Sequence, residues 1–195
     1  MSTVRLGAVA LCLFGLSAAP AVAQSKGPTG GGEIGFSMSR ISPDVPGTDI
    51  SRGPGLLAGG WVAFQPWVPV GIQIELLYAQ KHSHLNSTQD LSLDYVELPI
   101  LARLKLFKSI YMLEGVAFDF PVSASVSSST SGTTTDIKNS IASPDIGMII
   151  AGGVPLAKKV AVEFRYEGGF KKLSNVASAP VQRNRSLSGV LVFKL

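Results

Sequence analysis

The chain has 195 residues, a formal net charge of +4 and 15% charged side chains, where an ordinary soluble domain carries about 25%. So slight a basic excess, with no stretch that interleaves basic and aromatic residues, argues against a nucleic-acid binder. The 21 glycines, the many serines and threonines and the apolar balance describe a chain that is hydrophobic without being helical in character.

Taken in chain order, the first element is a leader. Arg5 precedes an apolar stretch from Leu6 to Leu16, followed by Pro20 and the small residues Ala21-Val22-Ala23. This is the pattern of a secretory signal peptide cleaved after Ala23, and its apolar core is shorter than the roughly 18 residues a spanning helix needs. Cys12, the only cysteine, leaves with it, so no disulfide or cysteine-based metal site is expected in the mature chain. Leu11 before that cysteine argues against lipid attachment. The expected organisation is a leader over 1–23, a short periplasmic segment over 24–30 and one domain over 31–195.

The long uncharged stretch from Gly53 to Ile74 is broken by Pro54, Pro66 and Pro69 and by several glycines, which suits two strands better than a membrane helix. Beyond it the dominant signal is period two. Val70, Ile72, Ile74, Leu76 and Tyr78 alternate with Gly71, Gln73, Glu75 and Leu77; Val96 to Leu106, Val160 to Phe170 and the terminal segment repeat the pattern. Strands are predicted over 31–40, 54–65, 69–80, 91–107, 110–122, 143–154, 160–170 and 186–195. Short turns at 65–69, 107–109 and 155–159 alternate with longer polar loops at 41–53, 81–90, 123–142 and 171–185. An even strand count with alternating connections is the mark of an all-β, eight-stranded antiparallel up-and-down transmembrane barrel, short turns inside and long loops outside. The apolar parity slips between Tyr95 and Val96, which predicts a bulge near Pro99. A soluble lipocalin-like barrel is the rival fold; it would turn the apolar face inward and put Glu75, Arg103, Glu163 and Arg165 in water.

At Leu93-Asp94-Tyr95-Val96-Glu97-Leu98-Pro99-Ile100-Leu101 the chain resembles the PorT-like outer-membrane β-barrel family, often labelled porin-family proteins. The Tyr-x-Glu-x-Pro strand followed by Arg103 or Lys105, a late strand Val162-Glu163-Phe164-Arg165-Tyr166 running to Gly168-Gly169, and an apolar last strand all fit that pattern. The resemblance implies an eight-stranded outer-membrane barrel, related in architecture to OmpA and OmpX, and little chemistry. Contact with outer-membrane lipid, lipopolysaccharide and the barrel-insertion machinery, and a monomeric state, are expected. The chain ends in Leu195 rather than the usual aromatic residue, leaving Phe193 to serve the insertion signal.

A basic side chain facing lipid at mid-membrane costs about 2–4 kcal/mol, so charged parities are expected to face the lumen. This assigns Glu75, Glu97, Arg103, Lys105, Glu114, Glu163, Arg165 and Lys194 inward, a neutral set of four acids and four bases. An eight-stranded barrel is just wide enough for side chains to fill it, so these are expected to form an ionic plug rather than line an open pore. A narrow channel or a secretion-associated barrel is the alternative.

His82 and His84 lie at the external end of the third strand, with Ser83 facing away from both. That spacing differs from the His-x-Ser arrangement of lipid A deacylase barrels, and no third metal ligand is evident. Neither an enzyme, a metal nor a cofactor is expected. Lys171, Lys172, Arg183 and Arg185 share a loop without an acid and are candidates for lipopolysaccharide phosphate contact. Residues 123–135, almost wholly small and polar, are expected to be a mobile loop. Trp61, Trp67, Tyr78, Tyr111 and Tyr166 are candidates for the interfacial aromatic girdles.

Overall fold

A computed structural model describes residues 26–43, 50–65, 69–106, 110–174 and 182–195. Its strands are β1 (Lys26–Pro43), β2 (Ser51–Gln65), β3 (Val70–Asn86), β4 (Gln89–Lys105), β5 (Tyr111–Ser128), the short β6 (Thr133–Asp136), β7 (Asp145–Ala157), β8 (Val160–Gly169) and β9 (Gln182–Lys194). Each strand pairs antiparallel with its sequence neighbour, except that β5 passes its main pairing to β7 while β6 folds back on the outer end of β5. Pairing of β1 with β9 closes the ring, giving a barrel of eight strands with no free edge.

The alternation of side chains places polarity on the inside. Ile34, Phe36, Leu56, Phe64, Ile72, Leu76, Phe164 and Leu191 are exposed on the outer wall, while Glu33, Glu75, Lys81, Glu97, Asp119, Glu163 and Arg165 are buried within. An apolar exterior around a charged interior is the inverse of a soluble barrel, so the lipocalin-like alternative fails. Glu75 is 1% and Glu163 0% exposed, where that fold would have left them in water.

Several expectations need correction. The expected periplasmic segment over 24–30 is strand from Lys26 onward, because the glycines at 30–32 have no side chains to display a parity. The expected loop 81–90 is mostly ladder: β3 and β4 continue to a tight turn at Ser87-Thr88, braced by the Thr88 amide donating to Asn86 Oδ1 at 2.9 Å. Apolar periodicity ends near Gln80, but alternation does not, since Lys81 and Ser83 remain buried. The expected mobile loop at 123–135 is a β5–β6 hairpin, with Gly132 at φ 63° in the left-handed region its turn requires. No bulge occurs at Pro99. In β4 the odd positions from Leu91 to Leu101 all face inward, and the register shift lies across from it on β5, where Val122 is extra beside Pro121. The leader over 1–23 and Trp67 lie outside the described residues.

Apolar clusters lie toward both ends of the interior. Externally, Ile41, Leu91, Leu93, Tyr95 and Ala124 pack with Ile141 and Leu173 from two connecting segments. Those segments are tied together by the Ala142 amide donating to the Leu173 carbonyl at 2.7 Å. Toward the periplasmic end, Trp61 and Val192 belong to one apolar cluster and Leu101, Tyr111 and Leu113 to another. Trp61 and Tyr111 are thus lumen residues, not girdle; Tyr78 and Tyr166 do lie exposed on the outer wall.

Candidate functional site

Between these apolar layers lie two ionic clusters. The lower one centres on Arg165 of β8. Its Nη1 donates to Glu75 Oε2 at 2.7 Å, Nη2 to Glu33 Oε2 at 2.7 Å, and Nε to Glu163 Oε2 at 2.9 Å. Each partner comes from a different direction: Glu33 from β1, Glu75 from β3 and Glu163 from Arg165's own strand, two residues back on the same face. The cluster then extends toward the periplasmic mouth. Tyr111 Oη donates to Glu163 Oε1 at 2.7 Å, Gln73 Nε2 donates to Glu75 Oε1 at 2.6 Å, and Arg103 Nη1 donates to Gln73 Oε1. The Arg103 guanidinium lies 3.7 Å from the Tyr111 ring centroid and 5.9 Å from that of Trp61, a stacked arrangement that suits its planar charge.

The upper cluster is organised by register. Glu97 of β4, Asp119 of β5 and Asp145 of β7 are directly opposite one another on three adjacent strands, all facing inward. Like charges so placed repel. Lys81 of β3 counters them: its Nζ lies 2.7 Å from Glu97, 2.8 Å from Asp119 and 2.7 Å from Glu167 of β8. Three carboxylates match the three donors of an ammonium, and the Tyr95 ring lies 5.2 Å from it on the external side. Glu33, Glu75 and Glu163, and likewise Glu97, Asp119 and Glu167, bring oxygens close enough to suit a hard cation. In each set the cation is one the protein already carries, the guanidinium of Arg165 or the ammonium of Lys81.

The predicted inward set therefore divides. Glu75, Glu97, Glu163 and Arg165 lie in the clusters, and Arg103 joins through Gln73. Lys105 and Lys194 keep the inward parity but are exposed at the periplasmic mouth. Glu114 faces outward, a correction required by parity, because Tyr111, Leu113 and Ala117 of the same strand are buried. It lies three residues from the start of β5, where an outward acid costs little compared with mid-membrane. Nor do acids and bases balance in number among the described buried residues. Glu33, Glu75, Glu97, Asp119, Asp145, Glu163 and Glu167 are buried against two buried bases, Lys81 and Arg165.

Sequence reasoning missed Glu33, Lys81, Asp119, Asp145 and Glu167. Part of the signal lies on β5: Glu114 and Asp119 have opposite parities, so one must face outward, but the strand predicted over 110–122 puts Asp119 nearer an end, and only the observed extension to Ser128 makes Glu114 the cheaper outward residue.

At the external rim, Ser83 is buried and accepts the Ile41 amide at 3.1 Å, while His82 and His84 face outward. His84 pairs across the ladder with Asp90, and His82 approaches Asp94 at 3.9 Å. The basic loop residues separate as well. Arg183 and Arg185 stand on β9, Lys171 is exposed and donates to the Pro144 carbonyl at 3.1 Å, and Lys172 is half-buried.

Comparison with known proteins agrees with this architecture. A family model described as an outer membrane protein beta-barrel domain matches residues 23–175. The fold is similar to that of Neisserial surface protein A, at 11% identity and a TM-score of 0.56, covering 89% of this chain and 100% of that one. It is also similar to Ail, the attachment invasion locus protein of Yersinia pestis, solved with the heparin analogue sucrose octasulfate. There the identity is 13% and the TM-score 0.51, over 86% of this chain and 99% of that one. At such identities the likeness is one of fold. No curated protein matches the chain in sequence.

Proposed function

This chain belongs to the outer membrane protein beta-barrel domain family, and from that premise we propose that it is a closed, non-enzymatic barrel supporting a surface-binding role at its external rim. The observation that carries the reading is the pair of ionic clusters stacked across the lumen. Arg165 is satisfied by three carboxylates and Lys81 by three others, each set linking strands from around the ring. The burial of Arg165 and Lys81 with their carboxylates, between apolar clusters above and below, favours a structural plug over a conducting path. The plug in turn makes the barrel a rigid base for its external hairpins.

A nearer kinship with PorT-like barrels rests on the strand Leu93 to Leu101, whose Tyr95 and Glu97 both meet Lys81. An export leader over 1–23 fits delivery to the outer membrane. The rim residues Lys171, Lys172, Arg183 and Arg185 make lipopolysaccharide the partner class of first choice. Sealed vesicles carrying the purified barrel should swell in potassium chloride or small sugars no faster than empty ones. Swelling that scales with barrel content would overturn the closed reading in favour of a narrow channel.

A further inference from the structure

Outward-facing arginines cluster on one sector of the wall, where β9, β1 and β2 leave the apolar band. Arg40 of β1 and Arg185 of β9 are directly opposite each other in the ladder and on the same outer face. Side chains so paired begin about 4.5–5.5 Å apart, and two like charges at that spacing destabilise the sheet unless something sits between them. Among the described residues neither takes part in an ion pair, and Arg40 Nε is buried with no hydrogen-bond partner. The outward acids described on this rim lie on other strands: Asp90 and Asp94 of β4 face His84 and His82, and Asp136 of β6 accepts the Lys138 amide.

The surroundings of the pair define what would fit. Arg52 of β2 adds a third charge; its Nη1 donates at 3.1 Å to the carbonyl of Met38, whose ladder partner Pro54 has no N–H to offer. On the other side, Arg185 faces Gly168 of β8, where the absent side chain leaves room and the Tyr166 ring lies across it. A Cβ built on Gly168 would be 3.5 Å from the Tyr166 hydroxyl oxygen. Toward mid-membrane the same outer columns continue as Phe36 and Ile34 on β1 and Leu187 and Leu191 on β9, all exposed. A ligand that answers both halves is anionic at its head, with several acceptor oxygens for guanidinium forks, and apolar below.

We propose that Arg40 and Arg185 form a phosphate-binding site for a phosphorylated outer-leaflet lipid of the lipid A class, with Arg52 adding charge and Tyr166 a hydroxyl. The site rests on the reading of the external rim as the working surface. It shifts that surface from the loop lysines to the barrel wall, where a lipid's phosphate and acyl chains are reached together.

The test uses the purified full barrel in phosphatidylcholine nanodiscs, with bound lipid read by native mass spectrometry. The probes are bis-phosphorylated lipid A, fully dephosphorylated lipid A and inorganic phosphate. Wild type should retain the phosphorylated form and release the dephosphorylated one. Arg40→Gln/Arg185→Gln should bind the phosphorylated form at least about tenfold more weakly, the worth of one charge-assisted hydrogen bond. Lys158→Gln/Lys159→Gln, which removes the same charge from the exposed β7–β8 turn at the opposite rim, should bind like wild type. Equal retention by the arginine variant, or equal retention of both lipid forms by wild type, would overturn the site. Full displacement by millimolar inorganic phosphate would overturn the lipid assignment in favour of a free-anion site. Conductance of the same preparations separates a failure here from a failure of the closed-barrel reading, since either can fail alone.

Discussion

Replacing Arg165 with methionine keeps the stem volume and removes the charge that organises the lower cluster. Glu33, Glu75 and Glu163 would remain buried, their oxygens within 4.8 Å of one another, with no cation among them. Removing one partner of a buried pair costs about 3–5 kcal/mol, and here three carboxylates lose the same partner, so the loss should lie at or above that range. With a urea slope of about 2 kcal/mol/M, the unfolding midpoint in lipid vesicles should fall by about 2 M. Trp61, buried against Arg103, supplies the fluorescence signal, and heat-dependent gel migration reports the fraction folded. Adding Glu33→Gln, Glu75→Gln and Glu163→Gln to Arg165→Met removes the uncompensated charges and should recover most of the loss. A single Arg165→Met variant whose midpoint stays within about 0.3 M of wild type would refute the claim that this cluster holds the barrel together.

Three further outcomes follow from the same geometry. Lys81→Met should destabilise by a similar amount, about 3–5 kcal/mol in the same urea assay, because Glu97, Asp119 and Glu167 lose their shared ammonium. Gly153→Ala should cost about 1–3 kcal/mol, since its Cβ would fall 2.2 Å from Tyr111 Cζ and push that ring off Glu163; Gly152→Ala next door, with nothing within 4 Å, is the neutral control. His84→Ala, at an exposed cross-strand pair, should change stability by less than about 0.5 kcal/mol, and acyl release from lipopolysaccharide should be absent in wild type and variant alike. Release that depends on His84 would show that the barrel is an enzyme.

Most of the barrel wall could be read from the chain because a lipid-facing strand advertises itself. Ile72, Ile74 and Leu76 against Gly71, Gln73 and Glu75 announce both the strand and which way each residue points. The same rule turns Glu75, Glu97, Glu163 and Arg165 inward, and all four are buried. It lapsed where both faces are polar or both apolar. Lys81 sits in the run Gln80 to His84, where inward and outward residues are alike hydrophilic, so the strand looked like a loop. In β4, Leu91, Leu93 and Tyr95 face an apolar lumen cap rather than lipid, so one parity looked like two. The partnerships themselves were illegible because they join distant positions: Arg165 meets Glu33 across 132 residues and Lys81 meets Glu167 across 86. The acid excess of the interior was hidden for the same reason, since it depends on which faces Glu33, Asp119, Asp145 and Glu167 turn inward.

The central claim, a lumen shut by two stacked ionic clusters, is tested most directly by recording from single wild-type barrels in a planar lipid bilayer at neutral pH in 1 M potassium chloride. Insertion verified by heat-dependent gel migration of the same preparation should be accompanied by no stable conductance steps. Reproducible, long-lived steps from the wild-type protein would contradict the account, because ions could then pass a cross-section that Arg165 and Lys81 are here taken to close.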